Sequence, residues 1–353
     1  MSEKVLMKGN EAMAEAAIQA GCRHFFGYPI TPQTEVAAYM AKQMPKHGGT
    51  FLQAESEVAA INMVYGASGA GARVMTSSSS PGISLKQEGI SYIAGADLPC
   101  VIVNIVRGGP GLGGIQPAQS DYFQATKGGG HGDYHLVVFA PSSVQELVNL
   151  TKEAFDVADI YRTPVMIMGD GMLGQMMEPV EFGAYTPREI PEKTWATNGT
   201  EGKRKHNTIN SLYITPSVLE NLIIERQKRY DVIQEKEARF EAYKTEDAEI
   251  IVTAYGITAR IAQTAVNRAR EAGIKVGMIR PITLWPFPEK AFAALDEKKI
   301  KDVLCVEMSM GQMIEDVKLA LNCRIPVSFY GRTGGVVPTP DEILGEIKKL
   351  ASK

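Results

Sequence analysis

The chain has 353 residues, long for one domain, and length alone predicts about two. Its apolar and charged fractions, 44% and 22%, are those of an ordinary globular protein, and a net charge of −3 with no Lys/Arg stripe offers no footprint for nucleic acid. No apolar run approaches the roughly 20 residues that cross a bilayer, and no signal-peptide core stands before Gly9, so a cytoplasmic setting without membrane attachment is expected.

Up to about residue 178, short β-like runs at 24–28, 51–53, 73–77, 100–106, 136–139 and 165–168 alternate with helical stretches near 10–20, 33–43, 57–69, 83–94 and 143–157. Near-continuous apolar strands joined by helices predict a parallel sheet covered on both faces. Ser142-Ser143-x-x-Glu146 reads as the start of the last helix, with capping-box character. The pattern breaks over 179–246. Residues 179–215, rich in Pro, Thr, Lys and Gly and carrying Lys203-Arg204-Lys205, read as a linker or extended arm. Pro216 then opens a charged helix to about residue 243, with Leu219, Leu222, Ile223, Tyr230, Ile233 and Phe240 at helical spacing. A second unit starts at Glu249, with strands at 250–255, 274–279, 303–307 and 327–330 and a helix from about Thr258. The predicted fold class is α/β: two doubly wound, mostly parallel-sheet domains at 1–178 and 247–353, joined by the arm and helix of 179–246.

Open α/β sheets bind ligands at the carboxyl ends of their strands, and the informative residues fall there. In Tyr28-Pro29-Ile30-Thr31-Pro32 the two prolines fix φ and remove two backbone donors, so the Thr31 hydroxyl is held in a set direction. A rigid turn with Thr31 or Thr34 as N-cap is equally compatible. Ser56 is a plausible N-cap that places Glu57 in the first turn of a helix dense in Ala and Gly. Such density costs about 1 kcal/mol per Gly and is expected where another backbone approaches closely, as at an interface between chains. Glu57 could also merely complement the helix dipole, worth about 0.3–1 kcal/mol.

Arg107 follows the strongest apolar strand and precedes a run of glycines, a setting suited to bidentate capture of a carboxylate. An ion pair with Asp121 is the competing role. Gly109-x-Gly111-x-x-Gly114 matches a dinucleotide fingerprint, but Pro117 delays any helix, and the run reads as a mobile active-site loop. His131 and His135 have metal-like spacing, yet the surrounding glycines favour a loop role over zinc. The cysteines at 22, 100, 305 and 323 form no Cys-x-x-Cys pair, so neither a cluster nor a structural zinc is encoded.

In this order the elements resemble the aminopyrimidine-binding half of thiamine-diphosphate enzymes. Tyr28-Pro29-Ile30-Thr31-Pro32 and the stretch 57–82 narrow the resemblance to the alpha subunit of 2-oxoacid:ferredoxin oxidoreductases, and it covers nearly all of the chain outside 179–215. Tyr255-Gly256-Ile257-Thr258 and the stretch 280–288 resemble the transketolase-type C-terminal domain. The resemblance implies a cofactor site of Tyr28, Pro29, Ile30, Thr31 and Glu57, with Glu57 activating thiamine diphosphate through its pyrimidine. It implies that Thr31 and Arg107 hold the 2-oxoacid, and that products are acyl-coenzyme A, carbon dioxide and reduced ferredoxin. Gly169-Asp170-Gly171, with Asn198 downstream, is similar to the start of a magnesium–diphosphate motif but lacks the following helix, so Asp170 is expected to close a strand as a turn residue. Magnesium, the diphosphate and the iron–sulfur clusters are thereby implied to belong to beta, ferredoxin-like and gamma partner subunits. Overall similarity looks nearest to members acting on branched-chain 2-oxoacids such as 3-methyl-2-oxobutanoate, for which Ile30, Leu112 and Ile115 offer an apolar wall. The 2-oxoglutarate type is the alternative and needs a second cation, Lys127 or His131. A non-catalytic assembly subunit is the rival of a different class.

Overall fold

A computed structural model describes residues 4–183 and 185–352. Its larger sheet has seven strands in the order Thr283–Trp285, Val137–Phe139, Pro164–Asp170, Cys100–Val106, Val74–Ser78, His24–Gly27 and Thr50–Gln53. All pair in parallel except Thr283–Trp285, which runs antiparallel to Val137–Phe139. Cys100–Val106 and Pro164–Asp170 are buried along their whole length, which requires helices on both faces and explains their largely apolar sequence. Helix Gly9–Gln19 packs on Val144–Tyr161, and Glu57–Gly69 packs on Pro81–Gly95.

The smaller sheet has the order Val327–Gly331, Asp302–Glu307, Ile250–Thr253, Val276–Pro281 and Phe240–Tyr243, the last antiparallel to its neighbour. Helices Gly256–Glu271 and Pro340–Ala351 pack together beside it. The α/β character predicted for both units holds. The capping reading also holds: Ser143 Oγ accepts from the Glu146 amide (3.1 Å), and Glu146 Oε2 accepts from the Ser142 amide (2.7 Å). Glu146 does a second job, receiving a bidentate pair from Arg280 at 2.9 Å that ties the two units.

Three expectations change. The charged helix runs Pro216–Glu237 and stops short of residue 243. Ala238 is extended (ψ 119°), and Phe240–Tyr243 leaves the helix to pair with Val276–Pro281, so sheet pairing overrides the helical spacing of Phe240. Residues 283–285, expected within the second unit, instead extend the edge of the first unit's sheet. The 179–215 stretch does not hang free. Arg162 lies over Trp195 at 4.8 Å, Lys193 pairs with Asp159 at 2.6 Å, and the Thr197 amide donates to the Gly69 carbonyl at 2.9 Å. Among the described residues no helix is long and apolar enough to cross a membrane.

Candidate functional site

Five parallel strands deliver their carboxyl ends to one edge: His24–Gly27 leads into Tyr28, Thr50–Gln53 into Glu57, Val74–Ser78 into Ser80 and Gly82, Cys100–Val106 into Arg107, and Pro164–Asp170 into Gly171. The proline-bracketed segment is pinned from several sides. The Pro32 carbonyl accepts from Asn10 Nδ2 (2.9 Å) and Gln175 Nε2 (3.3 Å), and the Tyr28 carbonyl accepts from Gln33 Nε2 (3.3 Å). Ser77 Oγ in turn donates to Gln33 Oε1 at 2.5 Å. Tyr28, Pro29 and Thr31 remain exposed above this frame. Gln33, with no side-chain cap bond, precedes the helix Thr34–Gln43, so neither Thr31 nor Thr34 is its N-cap.

Ser56 caps the helix Glu57–Gly69, its Oγ accepting from the Ala59 amide at 3.2 Å. Glu57 lies in the first turn at 6% exposure, and among the described residues its carboxylate makes no hydrogen bond and no ion pair. A near-buried anion with no partner is costly, and its presence here calls for a ligand. Gly82 opposes it. A Cβ at Gly82 would sit 2.0 Å from Ser78 Oγ and 2.7 Å from Glu57 Oε1, so the helix start can come this close only without a side chain. Ser78 and Ser79 Oγ are also buried and unpartnered. Ser80, at φ +28°, makes the sharp turn, held by its amide to Asn104 Oδ1 (3.1 Å) and its hydroxyl to Asp121 Oδ2 (2.7 Å). Beneath this turn lies Lys86, wholly buried, its Nζ donating to Thr76 Oγ1 (3.1 Å) and the Ser77 carbonyl (3.2 Å).

Arg107 and Thr31 meet. The guanidinium donates from one terminal nitrogen to the Thr31 carbonyl (2.9 Å) and from the other to the Leu112 carbonyl (3.1 Å), while its buried Nε–H has no partner. Asp121 is spent on Ser80 and Asn104, so the competing Arg107–Asp121 pair is not formed. The glycine run is closed on itself by Gly114 N to Gly108 O (2.9 Å) and Gly108 N to Gln116 O (3.0 Å). It rests on the second unit, where a Cβ at Gly335 would lie 2.4 Å from Gln116 Cβ. Beside it opens a cleft of about 690 Å³ lined by Thr31, Ile115, Pro117, Met172, Met176 and Val337, with Glu35 and Gln175 among its polar groups.

Family models place this edge among known proteins. "Pyruvate flavodoxin/ferredoxin oxidoreductase, thiamine diphosphate-binding" matches residues 15–255, and "Pyruvate:ferredoxin oxidoreductase core domain II" matches 248–343. The chain belongs to the 2-oxoacid:ferredoxin oxidoreductase family. It is 49% identical over 348 residues to the ketoisovalerate oxidoreductase subunit VorB of Methanothermobacter marburgensis, covering 99% of this chain and 98% of that one. With the 2-oxoglutarate synthase subunit KorA of Methanothermobacter thermautotrophicus it shares 38% over 385 residues, 99% of this chain and 100% of that one. The solved 2-oxoglutarate:ferredoxin oxidoreductase from Magnetococcus marinus, with 2-oxoglutarate, coenzyme A and succinyl-CoA bound, superposes with a TM-score of 0.89 at 29% identity. That match takes in 99% of this chain and 66% of the neighbour's. A split-gene transketolase, at 15% identity and TM-score 0.59 over 98% of both chains, shares the fold.

Within this oxidoreductase subunit the other motif residues serve as struts. Asp170 is the N-cap of a short helix, Gly171–Gln175, accepting from the Met172 (2.9 Å) and Leu173 (3.1 Å) amides, so a helix does follow the Gly-Asp-Gly stretch. Burial, against those amide bonds, pushes its carboxyl up to about 6. Asn198 is bonded to Arg204 on the exposed arm. His135 stacks on Trp285 at 4.4 Å and meets Tyr230 edge-on, and His131 is exposed with its ring against Tyr92. Lys127 pairs with Asp316. Of the glycines in the helix after Glu57, Gly66 faces open space, and Gly69 lies against Ile209 of the arm. The close helix approach comes from Gly89 instead, whose Cβ would lie 2.4 Å from the Ile61 side chain. The sequence reading passed over Lys86, although a lysine four residues after Gly82, on an otherwise small and apolar helix face, was visible.

Proposed function

We propose that this chain is the alpha subunit of a coenzyme-A-dependent 2-oxoacid:ferredoxin oxidoreductase that acts on a branched-chain 2-oxoacid, 3-methyl-2-oxobutanoate. It converts the 2-oxoacid and coenzyme A to acyl-coenzyme A and carbon dioxide, with the electrons passed to ferredoxin. The reading rests on one observation above others: the near-buried Glu57 carboxylate, packed against Gly82 and with no partner among the described residues. That donor set fits the aminopyrimidine of thiamine diphosphate. When bound, this cofactor supplies the nucleophilic carbon and the electron sink that decarboxylation of a 2-oxoacid requires.

The chain's own residues bind and orient. Glu57 would hold the pyrimidine through a hydrogen bond at its ring nitrogen. Tyr28, Pro29 and Ile30 form the stiff floor beside the ring. Thr31 presents its hydroxyl to the keto oxygen. Arg107 has spent two of its five N–H groups on carbonyls and keeps the rest for the substrate carboxylate. The diphosphate and its magnesium, together with the iron–sulfur clusters, are assigned to beta, ferredoxin-like and gamma partners, so the chain alone is inactive. For this purpose residues 1–178 hold the pyrimidine, and 247–353 buttress the substrate loop, with 179–246 strapping the two.

The substrate class follows from the wall of the cleft. Ile115, Pro117, Met172, Met176 and Val337 suit a branched aliphatic chain, and Glu35 repels a second carboxylate. Ile30 and Leu112 do not line it, and neither Lys127 nor His131 reaches it. The deciding experiment assembles the chain with its partners and measures coenzyme-A-dependent dye reduction over a panel of 2-oxoacids. Glu57→Gln should lower the rate by about a hundredfold or more, with assembly intact. Full activity in that variant would refute the assignment, and preference for 2-oxoglutarate would refute the substrate.

A further inference from the structure

Lys86 is the least expected side chain near the site. It lies on the helix Pro81–Gly95, one turn beyond Gly82, and has no exposed surface. Two of its ammonium hydrogens go to Thr76 Oγ1 and the Ser77 carbonyl, and the third finds no acceptor among the described residues. Among the described residues no carboxylate lies within 4.0 Å to form an ion pair with it. A methionine or leucine would fill the same space at lower cost, since burying an ammonium without a counter-ion is unfavourable. A purely structural role therefore explains its position poorly.

The surroundings narrow what the charge can act on. The packed helix Glu57–Gly69 brings Glu57, the one charged group felt by the ammonium. Asp170, at the end of Pro164–Asp170, is turned to its own helix amides, and Asp121 is spent on Ser80 and Asn104. Glu88 on the same helix is bonded to Tyr92, and the glycine loop at 129–130 contributes only backbone against Gln87. Gly82 and Ser78 join the two groups physically, since Glu57 Oε1 and Ser78 Oγ both lie against Gly82 while Ser77 and Thr76 carry the lysine.

Resting on the functional reading above, we propose that Lys86 is a positioning residue for Glu57: hung from Thr76 and Ser77, its buried ammonium braces the strand end and turn that set Ser78 and Gly82 against the Glu57 carboxylate, and so keeps that carboxylate aimed at the pyrimidine. Burial, opposed by Glu57, pushes the ammonium down to about 8, so this control operates near neutral pH. While Lys86 is charged, the ring bound beside Glu57 holds its proton less tightly, and when Lys86 loses its proton the ring holds it more tightly.

The test uses the full complex, with wild type, Lys86→Met, Lys86→Arg and Glu57→Gln. Thiamine diphosphate affinity and the near-ultraviolet circular dichroism of the bound pyrimidine are followed from about pH 6 to about pH 10. Wild type should show an inflection near the lysine's titration. Lys86→Met should lose it and move the ring's titration upward by about one pH unit, tenfold in proton affinity, and Lys86→Arg should restore the wild-type position. A Lys86→Met complex that titrates as wild type overturns the proposal. If that variant does not assemble, a wild-type complex with no inflection between about pH 7 and about pH 9 overturns it equally. Unchanged cofactor affinity in Glu57→Gln would instead fault the functional reading itself.

Discussion

Replacing Lys86 with methionine should stabilise the chain at neutral pH. Its proton affinity is pushed from 10.5 down to about 8 by burial, which the nearby Glu57 only partly offsets. At about 1.36 kcal/mol per unit, keeping the ammonium charged in this site costs about 3 kcal/mol. Methionine has similar length and no charge, and removes that cost. It also leaves Thr76 Oγ1 and the Ser77 carbonyl without a donor, at about 0.5–1.5 kcal/mol for each bond. The balance is a gain of up to about 2 kcal/mol at pH 7. The pH dependence carries the sign. Between about 8 and 10.5 the unfolded chain binds more protons than the folded one, so wild-type stability rises through that window, whereas the variant's curve stays flat there. The advantage of the variant should shrink above about pH 8, be gone before about pH 10, and then reverse. Urea unfolding of both chains at pH 7, 8, 9 and 10 measures it. A variant less stable than wild type by more than about 1 kcal/mol at pH 7, or parallel curves above pH 8, would show that the buried ammonium costs nothing and that the site was misjudged.

Gly82→Ala should abolish cofactor affinity while the chain still folds, because its Cβ would displace Glu57 Oε1 and Ser78 Oγ; the stability loss should stay within about 1–3 kcal/mol, and calorimetric titration of the assembled complex with thiamine diphosphate reads the binding. Arg73→Met should cost about 1–3 kcal/mol in urea unfolding, since it removes the charged bonds to buried Asp156 and Asp159 at 2.6 and 2.8 Å but leaves Asp159 its pair with Lys193 and Asp156 its bond from the Tyr185 hydroxyl. Asp170→Asn should remove a pH dependence: with its carboxyl raised to about 6, Asp170 favours the fold below 3.8 and that contribution is lost as pH rises through 6. The wild type should therefore lose about 3 kcal/mol across this window that the asparagine variant, still able to cap the helix, does not.

What could be read from sequence followed from local rules. Parallel strands buried on both faces must be continuously apolar, so 100–106 and 165–168 announced the centre of the sheet. The caps at Ser56 and Ser143 are decided within three residues and were equally legible. The antiparallel additions were not. Phe240–Tyr243 and Thr283–Trp285 are three or four residues long, and only their pairing with distant strands makes them strands. The ribbon of Val5–Lys8 with Met177–Val180 escaped for the same reason, its two halves lying far apart in the chain.

The candidate site divides along the same line. Thr31, Glu57 and Arg107 follow strand ends, where topology alone gathers them at one edge. Arg107 illustrates the limit. Sequence allowed a pair with Asp121, but Ser80 and Asn104 had already satisfied that carboxylate, and the guanidinium turned to the Thr31 and Leu112 carbonyls. Which partner wins depends on bonds made by third residues, and no spacing rule contains them. Lys86 is the sharper case. No local rule marks it for the core, yet it is wholly buried on a helix whose Gly82 and Gly89 pack closely on Glu57 and Ile61. A buried lysine among small residues marks a place where packing has yielded to electrostatics. Glu57, 6% exposed and likewise without a hydrogen-bonded counter-ion among the described residues, is the charge that opposes the burial of Lys86, which is why the two are proposed to act together.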